Sequence, residues 1–589
     1  MHILVINLLR LGDLVQCSPM LRTLRARHPE AKITLVVQDI FQETAALLPH
    51  VDELLPLPTL QLAPLLHQEE RWAEGYQFLV QWLKDHFQPR PDLAVNLTPN
   101  LLGAFLTFLS GAGKKRGFIL NRDRQFLSQP AWMSYLMVIS RARRANPFNL
   151  VDIFSKAAGL EPDGAGLTVK IPADARDQAG AFLAERALNP ETTLVGLLPG
   201  ASQPQRCWPP EKNAQVAQQL LAARPCHFLI LGSKGERPLG EKLASLLPPG
   251  TTTLCAGGTS IAGLAALLAR LNLLITNDTG PMHLAAAVKT PVLAFFLAGA
   301  RVQDTGPVGE GHLALEPRLD CHPCHYPDSC TLFNCHAAIP PEAVAYWALH
   351  LLEKRPFTPV ADAAPWKDLQ VYHSTFDPTG YHVHLPLIRR PLDREHFWTF
   401  LHRAAWPRFL DGTGAPGDSL SRWLLKIAAS HFLAPEDDLG LAGGYRDLQE
   451  LLELTNRGER LAQRLEALPG ESHAPSYLWQ QAEAVRNIDP QLHRLGVGSP
   501  EIASFIELYF QEQRGVADTD LDLLARQLAR AYQGLHQAGK ICLEVLGEMA
   551  GNFPGLLPYI NMLPEMAHLV QRLSPKTDSH QILEVAPCK

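Results

Sequence analysis

An alternation running through the first 350 residues restricts the fold more than any other feature. Short, largely apolar runs, HILVI and AKITLVVQ, bracket SPMLRTLRARHP, whose apolar residues recur at helical spacing. A near-continuous apolar run suits a strand covered on both faces, because crossover helices bury both sides of a parallel sheet. PDLAVNL, LLGAFLTFLSGA and KKRGFIL repeat the rhythm. After GLEPDGAGLTVKIPADA it restarts with TTLVGLLPG, CHFLILGS, NLLITND and PVLAFF, separated by helical stretches such as AQVAQQLLAA and GLAALLARL. The fold class expected is α/β, with one Rossmann-like domain over residues 1–165, a second over 166–355 and a cleft between them. Residues 356–589 read differently. Apart from a β pair in LQVYHST and GYHVHLPL, segments such as REHFWTFLHRAA and LDLLARQLARAYQGLHQ carry apolar stripes at helical spacing. A mainly α-helical accessory domain without a catalytic motif is expected there.

Composition excludes some functions. A formal net charge of −6 over 589 residues leaves no electrostatic footprint for nucleic acid. The opening MHILVINLLRLGDLV lacks a basic leader and a cleavage site, and Arg10 and Asp13 interrupt it too early for a membrane span. A cytoplasmic protein is expected.

The chemistry sits where strands end. NLLITND runs into NDTGPMHLAAA, so Asp278-Thr279-Gly280 falls at a strand's carboxyl end just before an Ala-rich helix containing His283. Asp-Thr-Gly also marks aspartic proteases, but those need an all-β setting and a second carboxylate. Here Pro281 pre-sets the first helical turn, Gly280 permits close approach, and the helix N-terminus offers free amides to an anion. TTLVGLLPG ends in GASQPQRCWPPE, supplying the Ala201 and Ser202 amides, the Ser202 hydroxyl and the fixed charge of Arg206, which forks onto phosphate oxygens. CHFLILGSKGE leaves Glu236 where a carboxylate can accept from ribose hydroxyls. In the first domain, HILVI leads to Gly12-Asp13 at the same cleft, where Asp13 is either a helix cap or a general base.

Taken together, LLRLGDLVQCSPMLRTLR, LLPGASQPQRCWP, LGSKGE and NDTGPMHLAAA resemble glycosyltransferase family 9, the ADP-heptose:lipopolysaccharide heptosyltransferases, over residues 1–350. The resemblance implies a GT-B fold with the donor on the second domain, and metal-independent, inverting transfer from ADP-heptose to a sugar hydroxyl. It implies Asp13 as catalytic base. It also implies donor contacts from Ala201, Ser202, Arg206, Glu236, Asp278, Thr279, Gly280 and His283. Asn7 stands where a basic residue is common, Ala201 lacks the family's hydroxyl, and Arg206 replaces a lysine. The family's acceptors are phosphorylated and lipid-linked. This makes the basic residues Lys114, Lys115, Arg116, Arg141, Arg143 and Arg144 candidate acceptor contacts, with solvated surface charge as the alternative, and implies peripheral contact with a membrane face.

LDCHPCHYPDSCTLFNC places Cys321, Cys324, Cys330 and Cys335 within fifteen residues, with His322, His325 and His336 beside them. Four thiolates starting from Cys-x-x-Cys suit a tetrahedral zinc or iron site of structural kind; free thiols are the alternative. Protein-modifying heptosyltransferases resemble this stretch with an iron-bearing cysteine finger, so a protein O-heptosyltransferase is a second reading. A catalytically inactive sugar-nucleotide-binding module is a third, opposed by the presence of Asp13 and Arg206.

Overall fold

The computed structural model describes residues 1–87, 89–121, 125–140, 142–186, 188–189, 191–324, 330–361, 366–412, 418–467, 477, 480, 483–485, 487–513, 521–553, 556, 560, 566 and 568–569. Its contacts divide the chain into Met1–Arg390 and Pro391–Lys589.

The first unit contains two sheets. Strands β1 (His2–Ile6), β2 (Lys32–Gln38), β3 (Glu53–Leu57), β4 (Leu93–Asn96), β5 (Lys114–Leu120) and β6 (Phe126–Gln129) pair in the order β3-β2-β1-β4-β5-β6. All pairs are parallel except β5–β6. The second sheet has β7 (Thr193–Leu198), β8 (Cys226–Ile230), β9 (Thr252–Leu254), β10 (Leu273–Asn277), β11 (Val292–Phe295), β12 (Leu313–Pro317), β13 (Leu369–Phe376) and β14 (His382–Pro386), in the order β14-β13-β12-β11-β10-β7-β8-β9. Helices cover both faces. Along β10 the alternation is direct: Leu273 and Ile275 join a core with Trp208, Phe295 and Trp347, while Leu274 joins the opposite core with Met282, Leu284 and Phe296. Burial on both sides is why these strands read as unbroken apolar runs.

The α/β fold agrees with the sequence expectation, but the second domain does not end at 355. The β pair placed in the helical region belongs to the second sheet, since β13 runs antiparallel to β12 with Leu315 opposite Val371. The hairpin covers an edge that β12 would otherwise leave open. Strands β3, β6, β9 and β12 escaped the sequence reading: each is short, and ELLPL and LALEP carry prolines that weaken strand patterning.

The second unit is helical, as expected. Helix Leu441–Glu466 packs along Leu521–Asn552, where Gly458 lets the Tyr532 ring come close; a methyl there would stand 2.8 Å from it. Trp406 stacks on Phe505 with centroids 3.9 Å apart, and Asp489 accepts hydrogen bonds from Tyr509 (2.8 Å) and Tyr532 (2.9 Å). Among the described residues no helix is long and apolar enough to cross a membrane.

Candidate functional site

Two strand-to-helix turns, one from each sheet, meet at a pair of glycines. After β1 the chain turns into helix Leu11–Gln16; after β10 it turns into helix Gly280–Ala287. A methyl on Gly12 would stand 2.8 Å from His283 Cδ2, and one on Gly280 2.7 Å from Leu11 Cδ2 and 3.3 Å from the Gly12 nitrogen. Small residues are thus required on both sides for the helix starts to converge. Asn277 fixes the second turn: its amide donates to the carbonyls of Pro199 (2.9 Å) and Gly200 (3.1 Å), and its oxygen accepts from the Trp208 nitrogen (2.9 Å). Asn7 has the matching place on the first side, donating to the Asp13 carbonyl at 3.3 Å.

Around this junction lie two adjoining cavities. One, of about 540 Å³, is lined by Arg10, Asp13, Gln16, Arg143, Arg206, Asp278 and His283, among others. The other, of about 630 Å³, is lined by Phe41, Ala201, Gly232, Lys234, Glu236, Thr259 and Leu264, among others. Ser202, Thr279 and Gly280 belong to both. Each volume is of the size that holds a small ligand.

The first cavity is electrostatically prepared. Arg206 donates to the carboxylate of Asp278 and, at 3.0 Å, to its carbonyl. Burial pushes the Asp278 carboxyl above its usual range, with Arg206 pulling the other way. Burial is also the main cause that raises Asp13, helped by the nearby charge of Asp278; the Arg10 amide, donating to Asp13 at 3.2 Å, opposes it. His283 is pushed down to about 3 by burial and by Arg206, so it is a neutral imidazole at any ordinary pH. Four buried polar atoms on this wall have no protein partner: Gln16 Oε1, Arg206 Nε, Thr279 Oγ1 and His283 Nδ1. Buried polar groups are nearly always satisfied, so these four leave the wall open to hydrogen bonds from water or a polar ligand.

In the second cavity Glu236 reaches the end of β7. Its carboxylate accepts from the Ser233 nitrogen at 2.6 Å and lies so near Gly200 that a methyl there would fall 2.0 Å from Oε1. The obstructing atoms are Oε1, Cδ and Cγ of Glu236, so the added methyl displaces that side chain from the cavity wall and from the Ser233 nitrogen. Gly200→Ala is therefore expected to weaken nucleotide binding by about tenfold, the worth of a hydrogen bond to a charged group, with melting temperature nearly unchanged. Calorimetric titration and a thermal melt check both.

The structure gathers Asp13, Ser202, Arg206, Asp278, Thr279, Gly280 and His283 on one cavity, and Ala201 and Glu236 on its neighbour. The basic residues divide. Lys114, Lys115 and Arg116 open β5, with Lys114 level with Leu93 and hence with Ile3 in β1. They stand at the amino ends of the strands and line neither cavity. Arg143 does reach the first cavity but is engaged, bonding Asp304 at 2.7 Å and the Gly299 carbonyl. Arg144 holds the carbonyls of Asp320 (2.6 Å) and His322 (2.7 Å), a clasp between the two sheets' loops. Arg141 and His325 lie outside the described residues.

Cys324 forms part of the first cavity's wall, while Cys335 is buried, Cys330 half-buried and Cys321 exposed. His336 Nε2 is 2.8 Å from the Gln205 carbonyl. Among the described residues no group of three His, Cys, Asp or Glu side chains is placed to hold a metal ion, although Cys321, Cys330 and Cys335 lie near enough to Cys324 to raise its thiol further, after burial. Arg10, Gln16, Phe41 and Lys234 were missed from sequence. Gln16 alone had a readable signal, its i+3 spacing from Asp13 on one helix face.

Two Rossmann-like halves with a polar cavity at their junction form a fold of the GT-B type. A family model described as glycosyltransferase family 9 (heptosyltransferase) matches residues 87–330, and this part of the chain is similar to that family. Lipooligosaccharide heptosyltransferase 2 of Haemophilus influenzae is 27% identical over 306 residues, spanning 50% of this chain and 83% of the relative. Lipopolysaccharide heptosyltransferase 2 of Escherichia coli K12 is 26% identical over 316 residues, spanning 50% and 82%. Among solved structures, a glycosyl transferase family 9 protein from Veillonella parvula has 21% identity and a TM-score of 0.47, covering 60% of this chain and 97% of its own. The Escherichia coli ADP-heptose LPS heptosyltransferase II has 19% identity and a TM-score of 0.46, covering 60% and 99%.

Proposed function

We propose that this glycosyltransferase moves a heptose from ADP-heptose to a hydroxyl of a lipopolysaccharide-type, lipid-linked saccharide, with inversion at the anomeric carbon. The observation that carries the reading is the shared wall. The Asp13 carboxyl, raised by burial, and one anion cradle face a single cavity, and Ser202, Thr279 and Gly280 continue that cradle into the pocket beside Glu236. ADP then lies with its ribose at Glu236 and its diphosphate at Arg206 and the first-turn amides of Gly280–Ala287, which have no intrahelical acceptor. Asp13 takes the acceptor proton as the sugar–oxygen bond to ADP breaks and the new glycosidic bond forms. The charge growing on the leaving diphosphate meets donors already in place, which is where fixed electrostatics accelerates a reaction. A lipid-linked acceptor brings the protein to a membrane face.

Titration with ADP, UDP and GDP tests the donor. ADP is expected to bind at least about tenfold more tightly than the others, a gap of 1.4 kcal/mol. Preference for UDP or GDP discards heptose as the sugar, and no binding of any of the three discards the reading. The anomeric configuration of the product, read by NMR, decides inversion.

A further inference from the structure

Gln16 occupies the last position of helix Leu11–Gln16, three residues after Asp13, and both side chains line the same cavity. Its side chain is 1% exposed, and its amide oxygen has no hydrogen-bond partner. A buried acceptor left unfilled lowers the stability of the free protein, so packing alone gives no reason for an amide here; methionine or leucine would fill the space without that loss. Two of the cavity's three arginines are committed to carboxylates. Arg206 is held by Asp278, and Arg143 by Asp304.

We infer that Gln16 is a specificity residue on the acceptor side, whose amide oxygen receives a second hydroxyl of the saccharide that Asp13 deprotonates. This rests on the transfer reading above. Asp13 and Gln16, one helical turn apart on one face, form a pair of acceptors spaced to engage two hydroxyls of one sugar ring. The pair selects an acceptor sugar bearing a free hydroxyl beside the reacting one. The donor side is not involved, because Gln16 lines only the cavity that holds Asp13 and not the one that holds Glu236.

The test compares wild type with Gln16→Met, using ADP-heptose and a deacylated lipopolysaccharide core saccharide as probes. Gln16→Met is expected to raise the acceptor KM by about 3–10-fold, one neutral hydrogen bond, with ADP affinity unchanged and the melting temperature equal or higher. Gln16→Asn, which keeps an amide oxygen, is expected to recover part of the KM. A monodeoxy acceptor lacking the neighbouring hydroxyl is expected to cost wild type the same factor and Gln16→Met nothing further. An unchanged acceptor KM, or equal discrimination by both proteins against the deoxy acceptor, overturns the inference. So does a lower melting temperature in Gln16→Met, which needs no substrate to measure. Failure of wild type to glycosylate the probe is a different result: it overturns the transfer reading on which the inference rests.

Discussion

Asp13→Asn is expected to lower kcat by about 10²–10⁴-fold, the usual worth of a positioned general base, while ADP affinity stays within about twofold. The substitution keeps the shape and the contact with the Arg10 amide, so the loss reads proton transfer and not a collapsed turn. Two features beside Asp13 set its basicity. Asn7, which bonds its carbonyl, is neutral where the family commonly has a cation, and a cation there would hold the carboxyl down. Burial and the charge of Asp278 raise it instead. The acid limb of kcat/KM therefore lies above the ordinary aspartate value, and activity falls as pH drops through it. The stability linkage has the opposite sense. A carboxyl raised in the folded state has no ionisation penalty below its unfolded pKa; the penalty builds as pH rises from that value to the folded one and is complete above it. Asp13→Asn is thus expected to melt at or above wild type at neutral pH, with the gap closing on acidification; melts across that range check the sign.

The residues legible from sequence were those whose position follows from strand direction alone. Asp13, Arg206, Glu236 and Asp278–Gly280 all follow strands β1, β7, β8 and β10, and the carboxyl ends of parallel strands are where such folds bind ligands. The same rule separates Lys114–Arg116 from the two cavities. They precede the apolar core of their strand, which puts them at its amino end, and only their charge had recommended them. What strand direction cannot supply is packing across the cleft. That Gly12 meets Gly280, that Arg143 is spent on Asp304, or that Cys324 walls the cavity depends on how two sheets distant in sequence close on each other. The second sheet's extent was hidden for a similar reason. Its last two strands lie about fifty residues beyond β12, across a helix, and pairing at that distance leaves no local mark.

Arg206→Ala is expected to fail twice, and the two failures separate. Removing a charge-assisted phosphate contact weakens ADP binding by about 1.5–3 kcal/mol, or roughly 10- to 150-fold. The same change strips the buried carboxylate of Asp278 of its hydrogen-bonded counter-charge. Breaking a buried pair from one side costs about 3–5 kcal/mol, and the lower figure applies because Arg206 keeps 22% of its side chain exposed. Adding Asp278→Asn removes the stranded charge, so the double variant is expected to regain most of the lost melting temperature without regaining ADP. Arg206→Lys keeps the charge but not the fork, and is expected to fall between wild type and alanine in affinity. Calorimetry and thermal melts on the four proteins decide it. Affinity that returns together with stability in the double variant would mean that Arg206 only holds Asp278 in place, and that the diphosphate is bound by the helix start and Ser202 alone.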